Sequence, residues 1–152
     1  MPTTPELVLI NLTLSAVLTG LIWTIQVVHY PGFLGVGAEG FVAYQQQHMR
    51  TISYVVIPLM LSELVATIVL VFRNPLPNAG WVYLATAMVL IIWVTTMFVS
   101  SPLHGKLAAQ GYDPEVIKRL VITNWVRTAA WSLRTGVLLL LVWQVVKEQS
   151  NG

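Results

Sequence analysis

Residues 7–28, 52–72, 81–100 and 126–146 form four almost continuously apolar stretches. Each is close to the roughly 20 residues that an α-helix needs to cross the hydrocarbon core of a bilayer. A backbone in lipid has no water to bond, so a spanning segment must be a helix or part of a closed barrel. The runs are continuous rather than alternating, which argues against a barrel. Only 9% of the 152 residues are charged, against about 25% in a soluble domain, too few to solvate a surface. The sequence therefore predicts an all-α integral membrane protein, one antiparallel four-helix bundle over residues 1–152. No basic segment precedes the first apolar run, so that run is expected to be a retained helix rather than a cleaved signal.

The connections differ in length. Arg73-Asn74-Pro75-Leu76-Pro77-Asn78 reads as a tight turn. His29-Tyr30-Pro31-Gly32 is expected to end the first helix and Ser101-Pro102 the third, because proline interrupts the hydrogen-bond ladder. Phe41, Tyr44, His48 and Ile52 recur at helical spacing. Asp113-Pro114-Glu115 reads as an N-cap with proline at the first helical position. Helices two and four should thus begin well before their apolar cores and extend past the bilayer on one side. Pro58 is expected to kink helix two. Arg50, Lys106, Lys118, Arg119 and Arg127 lie toward that side, Arg73 and Lys147 toward the other. This bias predicts long loops in the cytoplasm and both termini outside, in a bacterial inner membrane. Trp81 and Trp125 sit where interfacial anchors are expected. The net charge is +2 with no basic run, so nucleic acid is not an expected partner.

The chain has no cysteine, which excludes disulfides, thiolate metal sites and CxxC redox chemistry. It has three histidines. Counted from the short-turn end, His29 lies about 23 residues from Glu6, His48 about 24 from Phe72 and His104 about 25 from Ala79. At about 1.5 Å per residue these depths agree within roughly 3 Å. Asn124 and Arg127 fall in the same layer. One reading is a metal site, His29, His48 and His104 holding Zn, Cu, Fe or haem iron, with Glu39 or Tyr44 assisting if the loop folds back. The other is that these are ordinary polar residues at a membrane boundary. A carboxylate-rich di-iron site is not expected, since no Glu-x-x-His pair exists.

Asn124, Arg127, Trp131 and Arg134 share one face of helix four. Arg134 lies deep in the apolar span, where an arginine is costly and usually paired. Glu63 on helix two is at nearly matching depth. The pair reads either as a structural ion pair or as a proton relay or anchor for a quinone-like ligand. The aromatic residues Trp23, Trp93, Trp131, Trp143, Phe33, Phe41, Tyr44 and Tyr54 would stack on a flat ligand or simply pack, and Gln26 can face the same layer.

The series His29-Tyr30-Pro31, Phe41, Tyr44, His48, Arg50, Pro58, Glu63, Pro102, His104, Leu107, Gly111, Asn124-Trp125-Val126-Arg127-Thr128, Trp131 and Arg134 resembles a group of small bacterial four-helix membrane proteins. That group is in turn similar to the wider family containing the fungal anthrone oxygenases. The resemblance implies an oxygenase, cofactor-independent or without a defined cofactor, acting on a polycyclic phenol. Asn124 and Arg127 are the positions it carries over, as polar groups beside the substrate.

Three functions follow as expectations. The first is a membrane redox or metal-dependent protein, its histidine layer beneath a pocket lined by Asn124, Arg127 and Trp131, with Glu63 and Arg134 stabilising charge and an apolar quinone or aromatic substrate. The second is a non-catalytic accessory subunit of a larger membrane complex. The third is a small dimeric, proton-coupled transporter, a homo-oligomer using Glu63 as its ionisable group.

Overall fold

A computed structural model of the chain describes residues 4–73 and 79–150, with side chains to 147. Its four long helices are α1 (Thr4–Gly35), α2 (Phe41–Phe72), α3 (Ala79–Gln110) and α4 (Pro114–Ser150). The tight turn expected at 74–78 lies outside the described residues. Neighbours around the bundle are α1 with α2, α1 with α4, α3 with α4 and α2 with α3, so α1 faces α3 and α2 faces α4 across the diagonals. All four helices are long and apolar enough to span a membrane. Phe72, Phe98 and Trp143 are exposed on the outer surface, as lipid-facing side chains are and as those of a soluble monomer rarely are. The chain is an integral membrane protein built as a four-helix bundle.

The helices beginning at Phe41 and Pro114 start ahead of their apolar cores. Asp113 caps α4, its Oδ1 accepting from the N–H groups of Glu115 at 3.0 Å and Val116 at 3.1 Å. The Val116 N–H, with that of Glu115 and the nearby Lys106, holds the Asp113 carboxyl below its ordinary range. The cap is therefore in place above that range and loosens only as pH falls through the depressed value. Gly111 ends α3 at φ +90° and ψ −157°, a region open essentially to glycine alone. Helix α2 runs through Pro58 without a break.

Helices one and three differ from expectation. Neither ends at its proline. Ile25–His29 and Thr96–Ser100 widen into π-turns, in which the N–H of Tyr30 reaches Ile25 O and that of Ser101 reaches Thr96 O. Each π-turn stops one residue short of the residue before proline, at Pro31 and Pro102. A proline lacks an N–H and its ring clashes with the carbonyl four residues earlier; widening the preceding turn relieves both conflicts and lets the helix continue. Consequently α1 extends to Gly35 and α3 to Gln110, and Tyr30 and His104 are helix residues of the bundle interior rather than loop residues.

Two clusters fill the core. Leu18, Ile22, Phe33, Phe41, Ile92, Leu107, Ile117 and Leu120 occupy the middle and long-loop end. Leu7, Val8, Leu70, Val82, Leu138 and Leu141 occupy the short-turn end.

Candidate functional site

Between the clusters lies a buried polar junction. Arg134 donates from Nε to Glu63 Oε1 at 3.0 Å, from Nη1 to Ala85 O at 2.7 Å, and from Nη2 to Asn11 Oδ1 at 2.8 Å and Thr67 Oγ1 at 2.9 Å. Glu63 Oε2 accepts from Trp131 Nε1 at 3.1 Å. Glu63 and Arg134 are 0% and 1% exposed. Every helix contributes to the junction, α2 and α4 with two side chains each, and every nitrogen of the guanidinium has a partner. It joins the diagonal pair α2 and α4.

Above it, toward the long loops, is a cavity of about 220 Å³. Its walls are apolar over most of their extent: Leu18, Ile22, Val56 and Met60 are typical. Polar side chains gather at one end, where Tyr30, His48, His104, Thr96 and Arg127 line it, with Trp131 and Trp93 also on the wall. Exposed Ile57 on α2 and Ser101 on α3 belong to the same lining, so the cavity opens through the α2–α3 seam toward lipid.

The polar end is a hydrogen-bonded chain across all four helices. Gln45 Nε2 meets His104 Nδ1 at 2.7 Å, and His104 Nε2 meets Tyr30 Oη at 2.9 Å. Arg127 Nη2 donates to Tyr30 Oη at 3.0 Å, its Nε to Asn124 Oδ1 at 2.9 Å and its Nη1 to Thr96 Oγ1 at 3.3 Å; Nη2 also contacts Asn124 Oδ1. Asn124 Nδ2 donates to Gln26 Oε1 at 2.8 Å, and Gln26 Nε2 to Val121 O at 3.1 Å. Arg127 is buried, yet none of the ion pairs among the described residues includes it. All its partners are neutral.

The three histidines stand together. His29 Nε2 and His48 Nδ1 are 3.0 Å apart, and the His48 and His104 ring centroids are 5.5 Å apart. They are not equivalent. His104 has both nitrogens engaged by Gln45 and Tyr30, whereas His29 and His48 face each other. Among the described residues no group of three or more histidines or carboxylates is arranged to hold a metal ion.

Of the residues singled out from sequence, His48, His104, Arg127 and Trp131 line the cavity. Asn124 stands behind Arg127 and His29 behind His48. Glu63 and Arg134 form the junction below. Tyr44 packs its ring on Phe33, centroids 5.9 Å apart, away from the cavity, and Glu39 is exposed. Gln45 and Thr96 were not in that set; Tyr30 was named only beside Pro31, and Trp93 only as one of several aromatic residues that would stack on a flat ligand or pack. Gln45 carried a faint signal: of the three glutamines 45–47, it alone sits three residues before His48 on the same face, and it alone is buried.

No protein-family model, curated protein or solved structure matches the chain.

Proposed function

We propose that the protein takes a small, flat, apolar molecule with an oxygen head, of quinone-like or aromatic type, from the bilayer into its cavity. The observation that carries this reading is Arg127. A buried charge without a counter-charge is expensive, and this one sits at the polar end of an otherwise apolar cavity. An electron-rich oxygen delivered there receives charge-assisted hydrogen bonding, while the ring occupies the apolar part. The size fits: a cavity of about 150 Å³ accepts benzene, so about 220 Å³ accommodates a bicyclic ring.

The experiment is thermal unfolding of the protein in nanodiscs with added 1,4-naphthoquinone, since a ligand that binds only the folded state raises the midpoint. A concentration-dependent rise is expected in the wild type and none in Val56→Trp, which fills the cavity. Equal rises in both would trace the effect to the lipid and sink the reading. No rise in either would leave the accessory-subunit reading.

A second reading has its own observation. Nitrogens 3.0 Å apart on His29 and His48 are a few tenths of an ångström closer than two imidazoles sharing one ion held at about 2.0–2.1 Å. A transition ion there would be a redox centre beside the bound ring. Elemental analysis should then give stoichiometric metal that His48→Ala removes.

We also propose that the long-loop face, with Arg50, Lys106, Lys118 and Arg119, is cytoplasmic in a bacterial inner membrane. In this cysteine-free chain a Glu39→Cys variant should react with an impermeant maleimide only after permeabilisation. Labelling of intact cells would reverse the orientation.

A further inference from the structure

Arg127 brings a positive charge to the cavity, and the acidic residues of the chain are all placed elsewhere. The sequence has six of them. Glu63 is bound to Arg134, Asp113 pairs with Lys106 and Glu115 with Lys118, and Glu39 is exposed in the loop before α2. Glu6 lies 24 positions before Tyr30 along α1, and Glu148 lies 21 positions after Arg127 along α4. At about 1.5 Å per residue both are roughly 30 Å or more from the guanidinium. The side chains that share the polar end with Arg127 are Tyr30, His48, Thr96 and His104, of types that are not anions at neutral pH.

The guanidinium also has a donor left over. Of its five N–H groups, Nε gives one to Asn124 Oδ1, Nη2 has Tyr30 Oη and Asn124 Oδ1, and Nη1 has Thr96 Oγ1 alone, at 3.3 Å. Nη1 carries two hydrogens, so one of them has no acceptor among the described residues.

The cavity stands in the orientation of a membrane amphiphile. Its lining runs on α1 from Tyr30 to Leu18 and on α2 from His48 to Met60, about 18 Å along each helix. The polar end is at the long-loop level, where the apolar stretch of α4 begins at 126, and the apolar end points to the middle of the bilayer. An amphiphilic anion in the long-loop leaflet holds its charge at that level and its rings below it. It can pass the α2–α3 seam without turning over.

We propose that the oxygen head of the ligand is an anion, the conjugate base of a weak aromatic acid such as an enol, and that it supplies the counter-charge of Arg127. This rests on the ring-binding reading above and specifies the charge of the molecule bound. The ionised oxygen accepts from Nη1, and the rings occupy the apolar part; no covalent bond is made or broken. A neutral quinone of the same size can accept from the same donor but leaves the charge uncompensated. Close, buried opposite charges couple strongly enough for about tenfold or more in affinity.

The test compares two ligands of one size in phosphatidylcholine nanodiscs, read by the ligand-induced shift of the unfolding midpoint. One is 2-hydroxy-1,4-naphthoquinone, whose hydroxyl is ionised at neutral pH; the other is the neutral 2-methyl-1,4-naphthoquinone. Partition of each into empty nanodiscs sets its free concentration, and unsubstituted 1,4-naphthoquinone reports ring binding alone. The wild type should bind the hydroxy compound about tenfold or more tighter than the methyl compound. Arg127→Met should remove that ratio, and Arg127→Lys, which keeps the charge, should retain most of it. The ratio is taken within each variant, so a general change in stability cancels. If the two compounds bind wild type equally, or the ratio survives in Arg127→Met, the anion proposal fails while ring binding stands on the 1,4-naphthoquinone shift. If none of the three compounds binds, ring binding fails with it.

Discussion

Replacing Glu63 with Leu is expected to destabilise the bundle by about 3–5 kcal/mol, because it leaves the Arg134 charge buried without its partner. Arg134→Met should cost a similar amount by stranding the Glu63 carboxylate. The double replacement should recover most of the loss. Among the other members of the junction, Thr67 donates to Glu63 O and Asn11 to Leu7 O and Ala66 O, so the Trp131 N–H is the side-chain donor left without its acceptor. With both charges gone, few polar atoms are orphaned. A double-mutant cycle on unfolding in detergent measures the coupling. Additive losses would show that the two side chains act separately. The conservative Glu63→Gln distinguishes this structural role from proton-coupled transport. A structural pair predicts lower stability, whereas a transporter would lose coupled flux at near-normal stability.

Arg127→Met should have the opposite profile. Arg134 and Arg127 lie two turns apart on one face of α4, both buried, but only Arg134 has a carboxylate. Removing Arg127 eliminates a charge buried among neutral partners, and its neighbours keep bonds of their own: Tyr30 to His104, Asn124 to Gln26. Stability should be unchanged or higher. Affinity for naphthoquinone should fall by roughly 10- to 150-fold, the range of a charge-assisted hydrogen bond of about 1.5–3 kcal/mol. A loss of stability as large as that of Arg134→Met would identify Arg127 as another structural clamp and withdraw the main support for a ligand there.

The bundle was legible because its signals are long and redundant: four apolar runs, an Asp113-Pro114 helix start, and a histidine repeated at one depth in three helices. Counting residues along a helix gives depth well, since rise per residue is nearly constant. It gives no rotation, so the separate roles of His29, His48 and His104 could not be read. Tyr30 was hidden for a different reason. Proline marks a helix end in most sequences, and nothing in His29-Tyr30-Pro31 announces that the turn before it will widen instead. Gln45 was hidden because its partner, His104, comes from another helix, and Trp93 stood as one aromatic among several because only three-dimensional packing puts it on the cavity wall.

A π-turn is equivalent to an α-helix that has gained one residue, and helices one and three each carry that extra residue at the threshold of the polar layer. One inserted residue turns everything beyond it by about 100°. Tyr30 and His104 face the cavity with this offset included. Deleting a single residue from 25–29 would leave the lipid-spanning part of α1 in phase while swinging Tyr30 away from Arg127. It follows that any alignment treating these helices as ungapped blocks slips by one position at each π-turn, and slips first at the residues that matter most to the cavity.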